Sequence, residues 1–202
     1  MHDALALLEL DSIARGYRAL DALVKEAPVE VVEANLVEPG KFLILYGGGV
    51  AEVEASHKVG REIAAECLQD EVLLPYVDPR VWQGIFGATP RGELDTVGIV
   101  EGSSVAGVIE AADRSLKAAE VSLCGLRVAP ALGGKAFYVF EGLQHDVDAG
   151  LEAGVAVLEG RKRLVRAERV GRPHPDFLAL LLRAAPFGSG GLPRARSAAG
   201  GG

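Results

Sequence analysis

Hydrophobic and polar positions fall in blocks along this chain, and the blocks occur twice. The first, residues 4–10, is apolar except for Glu9 and predicts a short buried strand. Ser12 then caps a helix running to about Ala27. Ile13, Ala14, Tyr17, Leu20, Leu23 and Val24 recur at helical spacing and predict its core-facing side. Pro28 ends it. Strand-like runs at 29–37 and 42–46 flank a Glu38-Pro39-Gly40 turn. Gly47-Gly48-Gly49 breaks the pattern, a second helix is predicted over about 51–66, and residues 72–74 predict a last strand. The order then returns. A strand starts at Thr96, a helix spans 104–119, strands flank 131–134, a helix covers about 146–158, and a strand lies near 164–170.

The recurrence extends to individual residues. Segment 4–29 matches 96–121, with Glu9 on Glu101, Asp21 on Asp113, Lys25 on Lys117 and Ala27 on Ala119. After a two-residue shift, Gly40-Lys41 falls on Gly134-Lys135, Gly48 on Gly142, and 52–55 on 146–149. Toward the end of each copy Pro75 aligns with Pro173 and Asp78 with Asp176, which makes Leu74 the counterpart of Arg172. Charge, glycine and lysine recurring in order indicate a duplication. The predicted fold is α/β (α+β): two tandem ferredoxin-like β-α-β-β-α-β domains, each with helices on one sheet face. The expected boundaries are 1–88 and 95–185 for the domains, 89–94 for a linker, and 186–202 for a Gly-rich flexible tail.

Composition narrows the function classes. With 49% hydrophobic but only 5% aromatic residues, the core must be aliphatic. A net charge of -7 argues against nucleic-acid partners, which need a clustered basic face. No uncharged apolar stretch approaches the length of a membrane span, and the start shows no secretory pattern, so a cytoplasmic protein is expected. Cys67 and Cys124 stand far apart with no metal-ligand spacing and read as two small buried thiols.

Three pieces carry a family resemblance. They are the helix ends 21–27 and 113–119 with their lysines, the turns Gly40-Lys41-Phe42 and Gly133-Gly134-Lys135, and the closing Gly171-Arg172-Pro173-His174-Pro175-Asp176. In this order, and duplicated, they resemble the bacterial microcompartment shell domain in its tandem, trimer-forming, non-permuted class. The resemblance covers nearly the whole chain except the tail. It implies a homotrimeric, pseudohexagonal tile that packs with other shell hexamers and pentamers around enclosed enzymes, with a central pore for metabolites or ions. It also implies tile-edge contacts for Lys25, Lys117 and Arg172, and pore-lining positions for Glu38, Pro39, Gly40, Leu132, Gly133 and Gly134. Three Glu38 carboxylates around a threefold axis would favour cations and disfavour anions. Some relatives hold an iron–sulfur cluster through a Cys-Pro-Gly-Lys turn; Glu38 stands where the thiolate is needed, so no cofactor is expected.

Without the resemblance, Glu38 reads as an exposed turn carboxylate, and Lys25 and Lys117 as cations favoured at helix C-termini. No metal site and no catalytic residue is expected: His57, His145 and His174 have no partner at metal spacing, and Ser12, Ser103 and Ser104 read as helix caps. Gly47-Gly48-Gly49 is no phosphate loop, because Glu52 and Glu54 follow it. The competing function is a trimeric ferredoxin-like regulator that binds a small molecule between subunits; an enzyme ranks below both.

Overall fold

The structure, a computed structural model, describes residues 2–87, 95–128 and 134–177. The expected linker and tail, and Leu132 and Gly133, lie outside the described residues. The first copy contains strand β1 (Ala4–Leu10), helix α1 (Ile13–Glu26), β2 (Glu30–Val37), β3 (Lys41–Gly48), α2 (Val50–Ala64), β4 (Leu68–Pro75) and α3 (Pro79–Ile85). The second contains β5 (Thr96–Gly102), α4 (Val105–Ala118), β6 (Ser122–Val128), β7 (Ala136–Gly142), α5 (Gln144–Gly160) and β8 (Leu164–Gly171). Each copy forms one antiparallel sheet, β2-β3-β1-β4 and β6-β7-β5-β8, the strand order expected of the ferredoxin-like arrangement.

The copies share their irregularities. The bulge between Val31 and Glu33 in β2 recurs between Leu123 and Gly125 in β6, and the register shift after Glu9 recurs after Glu101. Bulges bend a strand and re-aim its side chains, so their repetition fixes the same curvature twice. The helices start alike as well: Ser12 accepts from the Arg15 amide and Ser104 from the Gly107 amide. At Gly16 a methyl group would sit 2.4 Å from the Phe42 ring, so α1 packs on β3 at a distance only glycine permits.

Strand β1 is buried on both faces, which accounts for its nearly unbroken apolar run. Ala4, Ala6, Leu8 and Leu10 share a core with Ala19 and Leu23 of α1 and Val53 of α2. Leu5 and Leu7, on the other face, join Leu43, Leu45, Val72 and Leu74 in a core that also holds Val105, Ala106, Ile109 and Ala112 of α4. The second copy therefore lays its first helix across the open sheet face of the first copy.

Several expectations change. On α1 the buried positions are Gly16, Ala19 and Leu23. Ile13, Ala14, Tyr17 and Val24 are exposed and Leu20 is half-buried, so most of the predicted core face points outward. Helix α3 was not anticipated, although Asp78 at its N-cap and Pro79 at its first position are start signals. Its Val81, Trp82 and Ile85 are buried, and the helix packs on β6 and α4. The last strand of copy one is longer than predicted. The registers Ala4↔Pro75 and Thr96↔Gly171 make Tyr76, not Leu74, the counterpart of Arg172. Both residues have a left-handed φ, +57° and +49°.

Candidate functional site

The seam between the two copies is the most elaborate polar region of the chain, and Glu9 lies inside it. The Glu9 side chain is fully buried, at 0% exposure. Its Oε1 accepts from the Ala106 amide at 2.7 Å, in the first turn of α4, and its Oε2 lies 3.4 Å from Lys41 Nζ. Burial pushes the Glu9 carboxyl above the usual carboxylate range, while the Ala106 amide and Lys41 pull it down. The helix N-terminus and the lysine thus stabilise a charge that burial alone would make costly. In the second copy Glu101 pairs with Lys135 at 2.9 Å but stands half-exposed. Lys41 and Lys135 are thus tied to these strand carboxylates.

At the other end of α4, Lys117 Nζ donates to the Tyr76 carbonyl at 2.9 Å and to Asp113 Oδ2 at 2.8 Å. Asp113, 2% exposed, accepts from the Asp78 amide at 2.8 Å. Arg80 donates to the Leu116 and Val121 carbonyls and pairs with Asp78, whose carboxyl it holds below the usual range. Carbonyls at the end of one copy's helix are satisfied by the other copy's chain end. A third cluster lies where α5 ends. Arg161 reaches Asp70 Oδ1 at 2.7 Å and Glu110 Oε2 at 2.6 Å, so one cation joins a strand of copy one to a helix of copy two.

Among the expected site residues, Lys117 therefore sits at this seam. Lys25, its counterpart, pairs with Asp21 on its own helix, at 2.6 Å, and both side chains are largely exposed. Arg172 is exposed, and its amide donates to the Asp95 carbonyl. Of the second expected pore turn only Gly134 is among the described residues, and it lies beside the first turn. Glu38, Pro39 and Gly40 form an exposed turn, and a methyl group at Gly134 would lie 3.0 Å from the Glu38 carbonyl oxygen. With φ +78°, Gly134 occupies backbone space that favours glycine.

The histidines have structural surroundings. His57 Nδ1 shares a 2.8 Å hydrogen bond with the Tyr46 hydroxyl, and its Nε2 lies 3.2 Å from Glu71, which also meets Arg61. Burial holds this imidazole below the usual histidine range, opposed by Glu71. His174 Nδ1 accepts from the Asp176 amide, the part Asp78 plays for Arg80. His145 is exposed beside Asp146. Ser103 is not a cap; its hydroxyl donates to the Arg163 carbonyl. Cys124 is buried, which pushes its thiol up to about 12, whereas Cys67 is only half-buried, contrary to expectation. Among the described residues no group of His, Cys, Asp and Glu is arranged to hold a metal, and no helix is long and apolar enough to cross a membrane.

Comparison with known proteins gives four concordant findings. The family described as the BMC domain matches residues 4–80 and 96–173, one match per copy. The chain is 36% identical over 177 residues to the bacterial microcompartment shell protein PduT of Citrobacter freundii, spanning 88% of this chain and 96% of that one. It is 29% identical over 94 residues to the carboxysome shell protein CcmK3 of Halothece sp. (strain PCC 7418), spanning 46% of this chain and 92% of that one. A crystal structure of a microcompartment protein from Desulfitobacterium hafniense DCB superposes with a TM-score of 0.78 at 37% identity, covering 89% of this chain and 99% of that one.

Proposed function

This chain belongs to the BMC-domain family of bacterial microcompartment shell proteins, and from that premise we propose that three copies close head to tail into a pseudohexagonal tile with a central pore. It is a structural protein of the shell, not an enzyme, and shell proteins assemble with one another. The observation that supports the closed trimer is an exposed helix face, made by Ile13, Tyr17 and Val24 of α1. Its counterpart on α4, made by Val105, Ile109 and Leu116, is buried at the seam, so a contact between chains that lays α1 on another copy's second sheet repeats the contact within one. Such a heterologous contact forms a ring when the rotation closes.

In that ring Glu38, Pro39, Gly40 and Gly134, with Leu132 and Gly133, line the central opening, and Lys25, Lys117 and Arg172 face neighbouring tiles. The domains are 1–88 and 95–185. Three Glu38 side chains give the opening a negative rim that favours cations and neutral polar solutes. Native mass spectrometry tests the assembly: a trimer is expected, and a chain that stays monomeric at micromolar concentration overturns it. Glu38→Gln tests the pore: cation preference of reconstituted shells falls while trimers persist, and collapse of the trimer instead removes Glu38 from the pore.

A further inference from the structure

The two kinds of seam carry opposite charge patterns. At the seam within the chain, Arg161 lies between two anions, one of which, Asp70, also meets Arg163 at 3.4 Å. Arg161, from the loop before β8, binds Asp70 on the first sheet and Glu110 on α4. All three side chains are mostly covered, at 27%, 12% and 22% exposure.

The duplication identifies their counterparts. The registers Glu9↔Asp70 and Glu101↔Arg166 place Arg166 where Asp70 stands. Glu110 lies as far beyond the Ser104 cap as Arg18 lies beyond Ser12, so Arg18 is its counterpart. Glu66 lies in the loop that corresponds to the one holding Arg161, one residue further along by the registers Leu10↔Leu68 and Gly102↔Leu164. Arg15 reaches Glu66 at 3.3 Å, and a methyl group at Gly107, the counterpart of Arg15, would lie 3.5 Å from Arg161 Cδ. At these three places the signs are reversed. Glu66 and Arg166 are each 74% exposed, Arg18 is exposed, and Arg166 pairs with the exposed Glu168 at 2.6 Å.

We propose that Glu66 and Arg18 of one copy close on Arg166 of a second copy, and that this inverted triad selects which domains may meet. The proposal rests on the head-to-tail reading above. A correct contact sets Glu66 against Arg166. A first domain docked on another first domain sets Glu66 against Asp70, and a second domain on another second domain sets Arg161 against Arg166. Each wrong contact places like charges together at a covered seam, where repulsion is weakly screened. The alternation of domains around the ring is thereby enforced without any change in the apolar surfaces.

Sedimentation of the full chain at 50 and 500 mM NaCl tests this. Glu66→Arg and Arg166→Asp are each expected to raise the dissociation constant of the assembly about tenfold or more at low salt and much less at high salt. The triple variant R18E/E66R/R166D, which copies the pattern of the inner seam, is expected to return it to within about threefold of the parent. All three sites are exposed, so thermal melting of the dissociated chain should match the parent within a few degrees, and Glu66→Gln supplies a milder change expected to weaken assembly in the same direction. A trimeric parent whose single variants dissociate like it, or a triple variant no better than the singles, overturns the triad alone. A monomeric parent overturns both the triad and the head-to-tail reading.

Discussion

Helices α1 and α4 are the same element placed in two environments. Both start from a serine cap, both end with an aspartate–lysine pair four residues apart, and both pack one side on their own sheet. Their other sides differ. On α4, Val105, Ile109, Ala112 and Leu116 are buried against the first copy, whereas on α1 the counterparts Ile13, Tyr17 and Val24 are exposed and Leu20 only half-buried. The difference teaches where the chain ends as a physical unit. One such helix face is covered within the chain, and the other, on α1, is exposed and is the face the proposed trimer would cover.

The strongest way to break the comparison is a charge at the corresponding apolar position. Ile109→Asp buries a carboxylate at a site with 0% exposure and should cost roughly 4 kcal/mol, enough to be read directly in a urea melt. Tyr17→Asp should leave the melt of the isolated chain nearly unchanged and abolish the trimer. A large loss from Tyr17→Asp in the monomer would mean α1 already has a partner within the chain.

The carboxylates come next. Glu9→Ala leaves the start of α4 without its acceptor and Lys41 without its partner, and should cost about 2 kcal/mol by denaturant unfolding of the monomer. Glu101→Ala should cost well under half of that there and show its effect on assembly. Equal costs would contradict the asymmetry of the two strands.

The lysines should give a smaller difference. Lys117→Ala removes a bond to the Tyr76 carbonyl and uncovers the buried Asp113, for about 1 kcal/mol. Lys25→Ala removes only an exposed pair, and its effect on the monomer should be close to the error of the melt.

The smallest effect concerns pH. The counterparts of His57 and Tyr46 in copy two are Leu151 and Phe140. Because burial lowers the His57 pKa in the folded state, its contribution is present above the unfolded value of about 6.5 and is lost as pH falls through the folded one. Melts of His57→Leu between pH 7.5 and 5 should therefore fall less steeply than those of the parent. Parallel curves would show that His57 takes up protons equally in the folded and unfolded states, contrary to its lowered pKa.

Much of the fold was legible because duplication is a property of the residues alone. The strand order, the four longer helices, and the caps at Ser12 and Ser104 follow from periodicity and short-range hydrogen bonding. The recurrence of Glu9 as Glu101 was visible too, but not its place beneath a helix from the other copy. Helix α3 was missed because it is short, at seven residues, and its apolar side faces β6, which lies far away in sequence. The alignment of Arg172 failed because Pro75 and Pro173 suggested one correspondence and the strand register imposed another.

The residues fixed two β-α-β-β-α-β units and their equivalence, since hydrogen-bonding partners and apolar spacing within a unit are local. They could not fix which side of α1 meets its own sheet. Its stripe is apolar on both sides, and the hydrophobic effect is non-directional. That choice depends on close approach, with Gly16 admitting Phe42 on one side and Tyr17 left outside on the other. The pairing of Glu9 with the α4 N-terminus, of Arg161 with Asp70 and Glu110, and of Gly134 with the Glu38 turn was decided the same way. Each joins residues distant along the chain that meet only when one copy is laid on the other.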